Sequence, residues 1–410
     1  MDIFKPFLGY NYFNKFEKSN NFSRLVCPCN FEVFYEDASL IYSKNENNIF
    51  NIKDDVSPKD RFKSWVDTSV VVASKVPSFY IYEMSYKMSG FNYVLTGVVG
   101  ALKLPGLGED YLTSCEDCLS EEVEEQFEFL KNSDFYSSPV CALYEEDEDF
   151  KFLNIIKATM SSSYMFKAKQ NNVLHKIWKV FEPEAVEVFK NYFKDKKYFL
   201  VCGTKKYEAA IKYKEFAGGS GEGSSDYIMA FLFSKSDFNF TALPVHRLVS
   251  GINMFDSESM LNKVSEYFDV RSCKTLDSMR NVMFNFKRQN EIAFGFYADD
   301  RYGVFSLRDV GVVKNFFEEY TSYEQLDVVV LNKIILQNIL NISPGCISYS
   351  YLDSAASLAV DSGDACFAIF LNGLRSSEFF ELVKGGKKLP PRSFSFFPKP
   401  VEGLLFYLLG

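Results

Sequence analysis

The chain has 410 residues, a formal net charge of −9, 47% hydrophobic residues and 24% charged ones, which excludes a disordered polyelectrolyte and leaves ample apolar material for a core. The 45 Lys and Arg are dispersed and outnumbered by 54 Asp and Glu, so no nucleic-acid partner is expected. No apolar run approaches the ~20 residues of a membrane-spanning helix, and the N-terminus lacks a basic-then-apolar leader, so neither a membrane nor a secreted location is expected; the expected location is cytoplasmic.

In chain order, the first local feature is Cys27-Pro28-Cys29, one of two close cysteine pairs among nine scattered cysteines. The other is Cys115-Glu116-Asp117-Cys118. Neither pair has a zinc-ribbon partner and the chain has only two histidines, His175 and His246, so the cysteines are expected as reduced thiols and no metal site is expected. Short runs rich in aromatic and β-branched residues predict strands at 79–83 and 93–99. Ser120 is the expected N-cap of a helix over 121–130 with acids in its first turn. The acidic run 145–149 reads as a solvated loop. Pro183 opens a helix ending at Phe193.

A strand over 198–202 then ends at Gly203, and Thr204-Lys205-Lys206 leads into a helical stripe over 207–216. The glycine- and serine-rich stretch 217–225 reads as a flexible linker; it follows a helix and lacks a closing Lys-Ser or Lys-Thr, unlike a phosphate loop. Further strands are predicted at 228–233, 292–297 and 365–370. Ser257 is expected to open a helix over 258–268, and an apolar helix over 325–340 stops before Pro344. The mixture predicts an α+β fold, with soft boundaries dividing the chain into 1–105, 106–250 and 251–410.

Four segments carry candidate chemistry. A helix N-terminus after Gly203, with Lys205 and Lys206 in its first turn, can attract phosphate, although an ordinary strand–helix connection has the same pattern. Leu243-Pro244-Val245-His246-Arg247 places a His-Arg pair between apolar residues, where Arg247 could grip a carboxylate or phosphate or be satisfied by backbone carbonyls. Near the C-terminus, Arg392, Ser393 and Lys399 lie within a basic, proline- and phenylalanine-rich strap over 387–399. Glu116 is a candidate general base if burial raises its pKa.

Taken in order, these segments resemble the domain-of-unknown-function 1015 family. The match runs through Cys202-Gly203-Thr204-Lys205-Lys206-Tyr207-Glu208, Leu243-Pro244-Val245-His246-Arg247, and Leu389-Pro390-Pro391-Arg392-Ser393-Phe394-Ser395-Phe396-Phe397-Pro398-Lys399 followed by Glu402-Gly403-Leu404. Cys115-Glu116-Asp117-Cys118, Leu174 to Trp178 and Val26 to Asn30 also fall where the family has related residues. The resemblance implies a ParB/sulfiredoxin-like core with a second α+β region and a C-terminal strap. It implies a phosphate-binding phosphotransferase acting on free L-serine, with ATP, ADP or pyrophosphate as donor and Mg²⁺ as its companion. On that basis Glu116 and His246 would be catalytic, while Gly203, Thr204, Lys205, Lys206, Arg247, Arg392, Ser393 and Lys399 would hold phosphate or substrate. The departures are specific. Cys202 stands for the family's Asp, Thr204-Lys205-Lys206 for its His-His-Arg, Cys115 and Cys118 for its early His and Thr, Glu122 for a Lys, and Gln126 for an Arg. The rival expectation is therefore a catalytically inactive relative that binds a ligand or partner.

Overall fold

The computed structural model describes residues 2–13, 22–29, 40–53, 55–146, 152–160, 164–219, 223–237, 239–317, 321, 323–374 and 388–409. Parts of the acidic run 145–149, the linker 217–225, the strap's Lys387, and Asn30 lie outside them. The fold is α+β. The chain forms two compact units: unit 1 is Met1–Thr241 with Phe396–Gly410, and unit 2 is Ala242–Ser395. The expected segments 1–105, 106–250 and 251–410 are cut differently. Strand pairing links residues on either side of position 105 in one sheet, and the last residues rejoin unit 1.

Unit 1 is built on a nine-stranded mixed sheet. Its main strands are β1 (Phe79–Met88), β2 (Phe91–Lys103), β3 (Leu112–Ser114), β4 (Val140–Tyr144), β5 (Phe166–Gln170), β6 (Val173–Val180), β7 (Tyr198–Cys202) and β8 (Tyr227–Ser234), in the order β5-β6-β1-β2-β8-β4-β7-β3. Phe4–Lys5 pairs with β2 as the ninth. β8 is buried along its whole length and sits between β2 and β4, as its unbroken apolar run Tyr-Ile-Met-Ala-Phe-Leu-Phe requires. Three helices matter for the site: α1 (Ser120–Ser133), α2 (Pro183–Phe193) and α3 (Thr204–Phe216). α1 and α3 are neighbours, with Phe127 edge-on to Phe216 at 5.9 Å. The expected Ser120 cap is not used: Leu119 occupies the N-cap, and Ser120 is the first helical residue.

Unit 2 has a six-stranded sheet made of β9 (His246–Val249), β10 (Phe268–Cys273), β11 (Ala293–Ala298), β12 (Arg301–Leu307), β13 (Ile347–Ser350) and β14 (Phe367–Phe370), ordered β10-β12-β11-β14-β9-β13. Its pairings are antiparallel. The helix expected over 258–268 is Ser257–Val264, because Phe268 begins β10 instead; Asp256, not Ser257, caps it by accepting the N–H groups of Glu258 and Ser259. The apolar helix expected over 325–340 runs as Asp327–Val329 and then Val330–Ile339, the latter wound as a π-helix. The Leu340 N–H reaches back five residues to the Ile335 carbonyl (2.9 Å), a wider winding that propensity does not foretell. Val330, Leu331, Ile334 and Ile335 of this helix are buried with Phe294, Phe305 and Ile369 of the sheet.

Candidate functional site

Four of the expected site residues form one turn of unit 1. β7 ends at Cys202, Gly203 takes φ +92°, and α3 starts at Thr204. A side chain at Gly203 would be strained on two counts: the positive φ, and a Cβ only 2.8 Å from Val140 Cγ1. Gly203 gives the helix no side-chain cap, so the first-turn N–H groups and the positive end of the helix dipole meet whatever packs there. Thr204 Oγ1 lies 3.3 Å from Ser114 Oγ, and Ser114 Oγ donates to the Glu116 carbonyl at 2.8 Å. The Ser114–Glu116 segment is thereby held beside the turn, and Glu116 itself is half-buried.

The two lysines diverge in role. Lys205 is 3.8 Å from Glu122 of α1. Lys206 points inward, donating to Ser138 Oγ and, at 2.7 Å, to Glu402 Oε1. Glu402 is 1% exposed. Its Oε1 also lies 3.4 Å from Lys53 Nζ, and its Oε2 accepts from Ser137 Oγ. Burial would raise the Glu402 carboxyl, but Lys206, Lys53 and the hydrogen bonds from Lys206 and Ser137 outweigh it and hold the group well below the usual carboxylate range. Burial likewise opposes the Lys206 charge, and Glu402 overcomes it, holding Lys206 above the usual lysine range.

These groups line a cavity of about 20 Å³, with Gln126 and Phe129 of α1 completing its wall. That is room for a water or two and far less than a nucleotide needs. Thiols surround the same region. Cys29 donates to the Pro400 carbonyl (2.6 Å) and lies 3.6 Å from Ser138 Oγ. Its thiol is pushed up to about 12, by burial first and by Glu402 second. Cys141 and Cys202 face each other across β4 and β7. Sequence reasoning missed Lys53, Ser137, Ser138 and the charge of Glu402. Only Glu402 lay in a recognised motif; the others come from distant segments that carry no local signal.

The other expected site residues are in unit 2, apart from Lys399, which is half-buried in unit 1. His246 is buried; its Nδ1 accepts the Leu371 N–H (3.4 Å) and its Nε2 is 2.7 Å from Asp353 Oδ1. Arg280 also contacts Asp353 and lies 3.0 Å from His246 Nε2. Burial, then the Arg280 and Arg247 charges, hold the imidazole well below the usual histidine range. Arg247, 1% exposed, donates to the Val245 carbonyl (2.7 Å) and to Asn332 Oδ1 (3.3 Å). Arg247 and Arg392 both stack on the Tyr349 ring, at 4.9 and 5.6 Å from its centroid. Ser393 Oγ donates to the Pro390 carbonyl (2.7 Å). Among the described residues, no group of three or more His, Cys, Asp or Glu is placed to hold a metal ion, and none of their helices is long and apolar enough to cross a membrane.

Fold and site define an α+β chain in which the turn between β7 and α3 presents Lys206 to the buried Glu402 carboxylate. The family whose description reads "Protein of unknown function (DUF1015)" matches residues 4–329, and the chain belongs to it. No curated protein matches. Similar solved structures include a conserved hypothetical protein from Pyrococcus furiosus (12% identity, TM-score 0.39, covering 74% of this chain and 93% of that one). They also include a free serine kinase in complex with AMP (12% identity, TM-score 0.40, 74% and 90%) and a mutant free serine kinase in complex with ADP (13% identity, TM-score 0.39, 74% and 91%).

Proposed function

We propose that the protein is a phosphate-binding phosphotransferase of the DUF1015 family, acting on free L-serine or a similar small amino acid with a nucleotide or pyrophosphate as donor. The ParB/sulfiredoxin-like character of the core belongs to the same proposal. The observation that carries it is the donor set in unit 1. Lys206 from the first turn of α3, Lys53 and Ser137 converge on an oxyanion, here the Glu402 carboxylate, and Ser138 accepts a hydrogen bond from the same Lys206. Phosphoryl transfer asks a protein mainly for positioning and charge neutralisation, and lysines with hydroxyls supply both.

In this reading Gly203, Thr204, Lys205 and Lys206 hold the donor's phosphate and Glu116, beside that turn, takes the acceptor hydroxyl proton. Mg²⁺ would neutralise the donor's charge. The described residues supply no cluster of carboxylates to cage it, so it would depend on the donor's own oxygens and water. His246 and Arg247 are engaged by Asp353, Leu371, Val245 and Asn332 within unit 2, so no proton transfer is assigned to His246.

A second reading, a ligand-binding relative without turnover, is favoured by one observation: Glu402 already occupies the donors that a phosphate would use. Phosphoserine formation separates the two. Purified protein is incubated with L-serine, Mg²⁺ and ATP, ADP or pyrophosphate in turn, beside Lys206→Ala and Arg392→Ala variants. Donor-dependent phosphoserine that Lys206→Ala abolishes supports the kinase, and loss in Arg392→Ala brings unit 2 into the reaction. No product with any donor leaves the non-catalytic reading.

A further inference from the structure

The segment that carries Glu402 is fastened on both sides of the residue. Val401 and Glu402 pair with Pro28 and Cys27 in a short antiparallel ladder. The Val401 N–H donates to Tyr82 Oη (3.4 Å), and the Gly403 N–H donates to the Ser137 carbonyl (2.7 Å). Gly403 has φ +89°, and a Cβ there would meet Ile49 at 3.0 Å. Backbone geometry on either side therefore delivers the carboxylate to the cavity; it is not a long surface side chain that happens to reach a lysine. Both of its oxygens are used, Oε1 by Lys206 and Lys53 and Oε2 by Ser137. Ser138 is bound to the same Lys206. Two ammonium groups and a hydroxyl gripping both oxygens of one carboxylate form the arrangement that holds a phosphate or carboxylate ligand.

We infer that Lys53, Lys206, Ser137 and Ser138 form an oxyanion site whose resident ligand is the chain's own Glu402 carboxylate, and that Glu402 decides which anions the cavity admits. The inference rests on reading this cavity as the phosphate site, and with Glu402 in place it puts the wild type on the side of the second, non-catalytic reading. A phosphate entering the site must use the donors Glu402 holds, at a separation where two anions repel strongly, and the cavity offers space for little beyond water. The site therefore takes a phosphate-class oxyanion only once the carboxylate is gone. Glu402 is a specificity-determining residue.

Inorganic phosphate is the probe, with binding followed by calorimetry and by melting temperature on the full chain. The wild type is expected to show no saturable phosphate binding. Glu402→Ser, which clears the cavity and keeps a hydroxyl, is expected to gain saturable binding, with an affinity at least roughly tenfold above the limit set by the wild-type titration. Adding Lys206→Met is expected to abolish that gain. Glu402→Gln keeps the bulk while removing the charge; it is expected to gain less, and it decides the matter if Glu402→Ser does not fold. The inference is overturned if the wild type binds phosphate as tightly as Glu402→Ser, or if the folded variants bind none. The phosphoserine assay reports separately: phosphate binding by Glu402→Ser without phosphoserine from any donor sustains the self-ligand and sinks the kinase. Phosphoserine from the wild type, with no gain in Glu402→Ser, does the reverse.

Discussion

Replacing Lys206 by methionine leaves the Glu402 carboxylate buried with one ammonium group in place of two. At 2.7 Å and an effective dielectric near 20, the lost attraction is about 6 kcal/mol gross. Most of it is offset by the desolvation both charges already bear, and stranding one partner of a buried pair typically costs ~3–5 kcal/mol net. Lys53 at 3.4 Å and the Ser137 hydroxyl stay in place, and the Lys206 side chain is 17% exposed, so the lower end, about 3 kcal/mol, is expected. Adding Glu402→Gln removes the stranded charge, so the double variant should recover roughly 2 kcal/mol relative to the sum of the singles. Urea unfolding at pH 7 measures this, read by intrinsic tryptophan fluorescence. The chain's only two tryptophans, Trp65 and Trp178, are both buried in unit 1, so the signal belongs to the unit that holds the site. A loss under about 1 kcal/mol in Lys206→Met, or strictly additive variants, would refute the claim that this pair is a tightly held, charged unit.

Gly203→Ala should destabilise unit 1 by more than ~1 kcal/mol, since alanine must take φ +92° with its Cβ 2.8 Å from Val140; the same urea titration checks it. Acid should weaken both units as pH falls below about 6.5. Burial lowers His175 to about 3 and holds His246 well below its ordinary value, so both stay neutral in the fold while the unfolded chain takes up protons; stability is full above 6.5 and is lost downward. His175→Leu should flatten that slope in the tryptophan signal even though it gives up the Tyr82 hydrogen bond (2.7 Å). Glu402 acts in the same direction at lower pH: its contribution is present above the ordinary carboxylate value of 4.5 and is lost as pH falls toward its depressed one, so Glu402→Gln should flatten the curve below about pH 4.5. Cys29 and Cys115, whose thiols burial pushes upward, should resist iodoacetamide at pH 8 until urea unfolds the chain, as counted by mass spectrometry.

Much of the secondary structure was legible because local pattern decides it. The apolar runs at 198–202 and 228–233 became strands in one sheet, and Pro183 opened its helix as its fixed φ favours. The helix over 258–268 ended early because Phe268 finds a pairing partner in Leu307, a long-range term that helical spacing does not contain. The Gly203 turn was readable from a strand, a glycine and two lysines in succession. Its partners were not. Lys53, Ser137 and Glu402 lie far apart in sequence; the β-pairing of Glu402 with Cys27 and the Gly403 bond to Ser137 bring two of them together. The motif Glu402-Gly403-Leu404 was visible, but that its acid would be buried against two lysines depends on that pairing. His246-Arg247 shows the converse. The sequence offers it as an anion grip, and within unit 2 it lies in a buried strand whose polar atoms are engaged by Asp353, Leu371, Val245 and Asn332.

Unit 2 is inserted within unit 1: the chain leaves after Thr241 and returns at Phe396. A ribosome that has just made the last strand of the unit 1 sheet, which ends at Ser234, must still add about 170 residues to reach Glu402. At roughly 5–20 residues per second that is an interval of about 8–34 seconds. Throughout it the cleft around Lys53 and Lys206 has no Glu402 carboxylate, and residues 10, 135 and 136 wait for the strand partners they later find in Phe406, Leu408 and Tyr407. The chain order thus makes the carboxylate the last member of the Lys53–Lys206–Ser137 cluster to be synthesised.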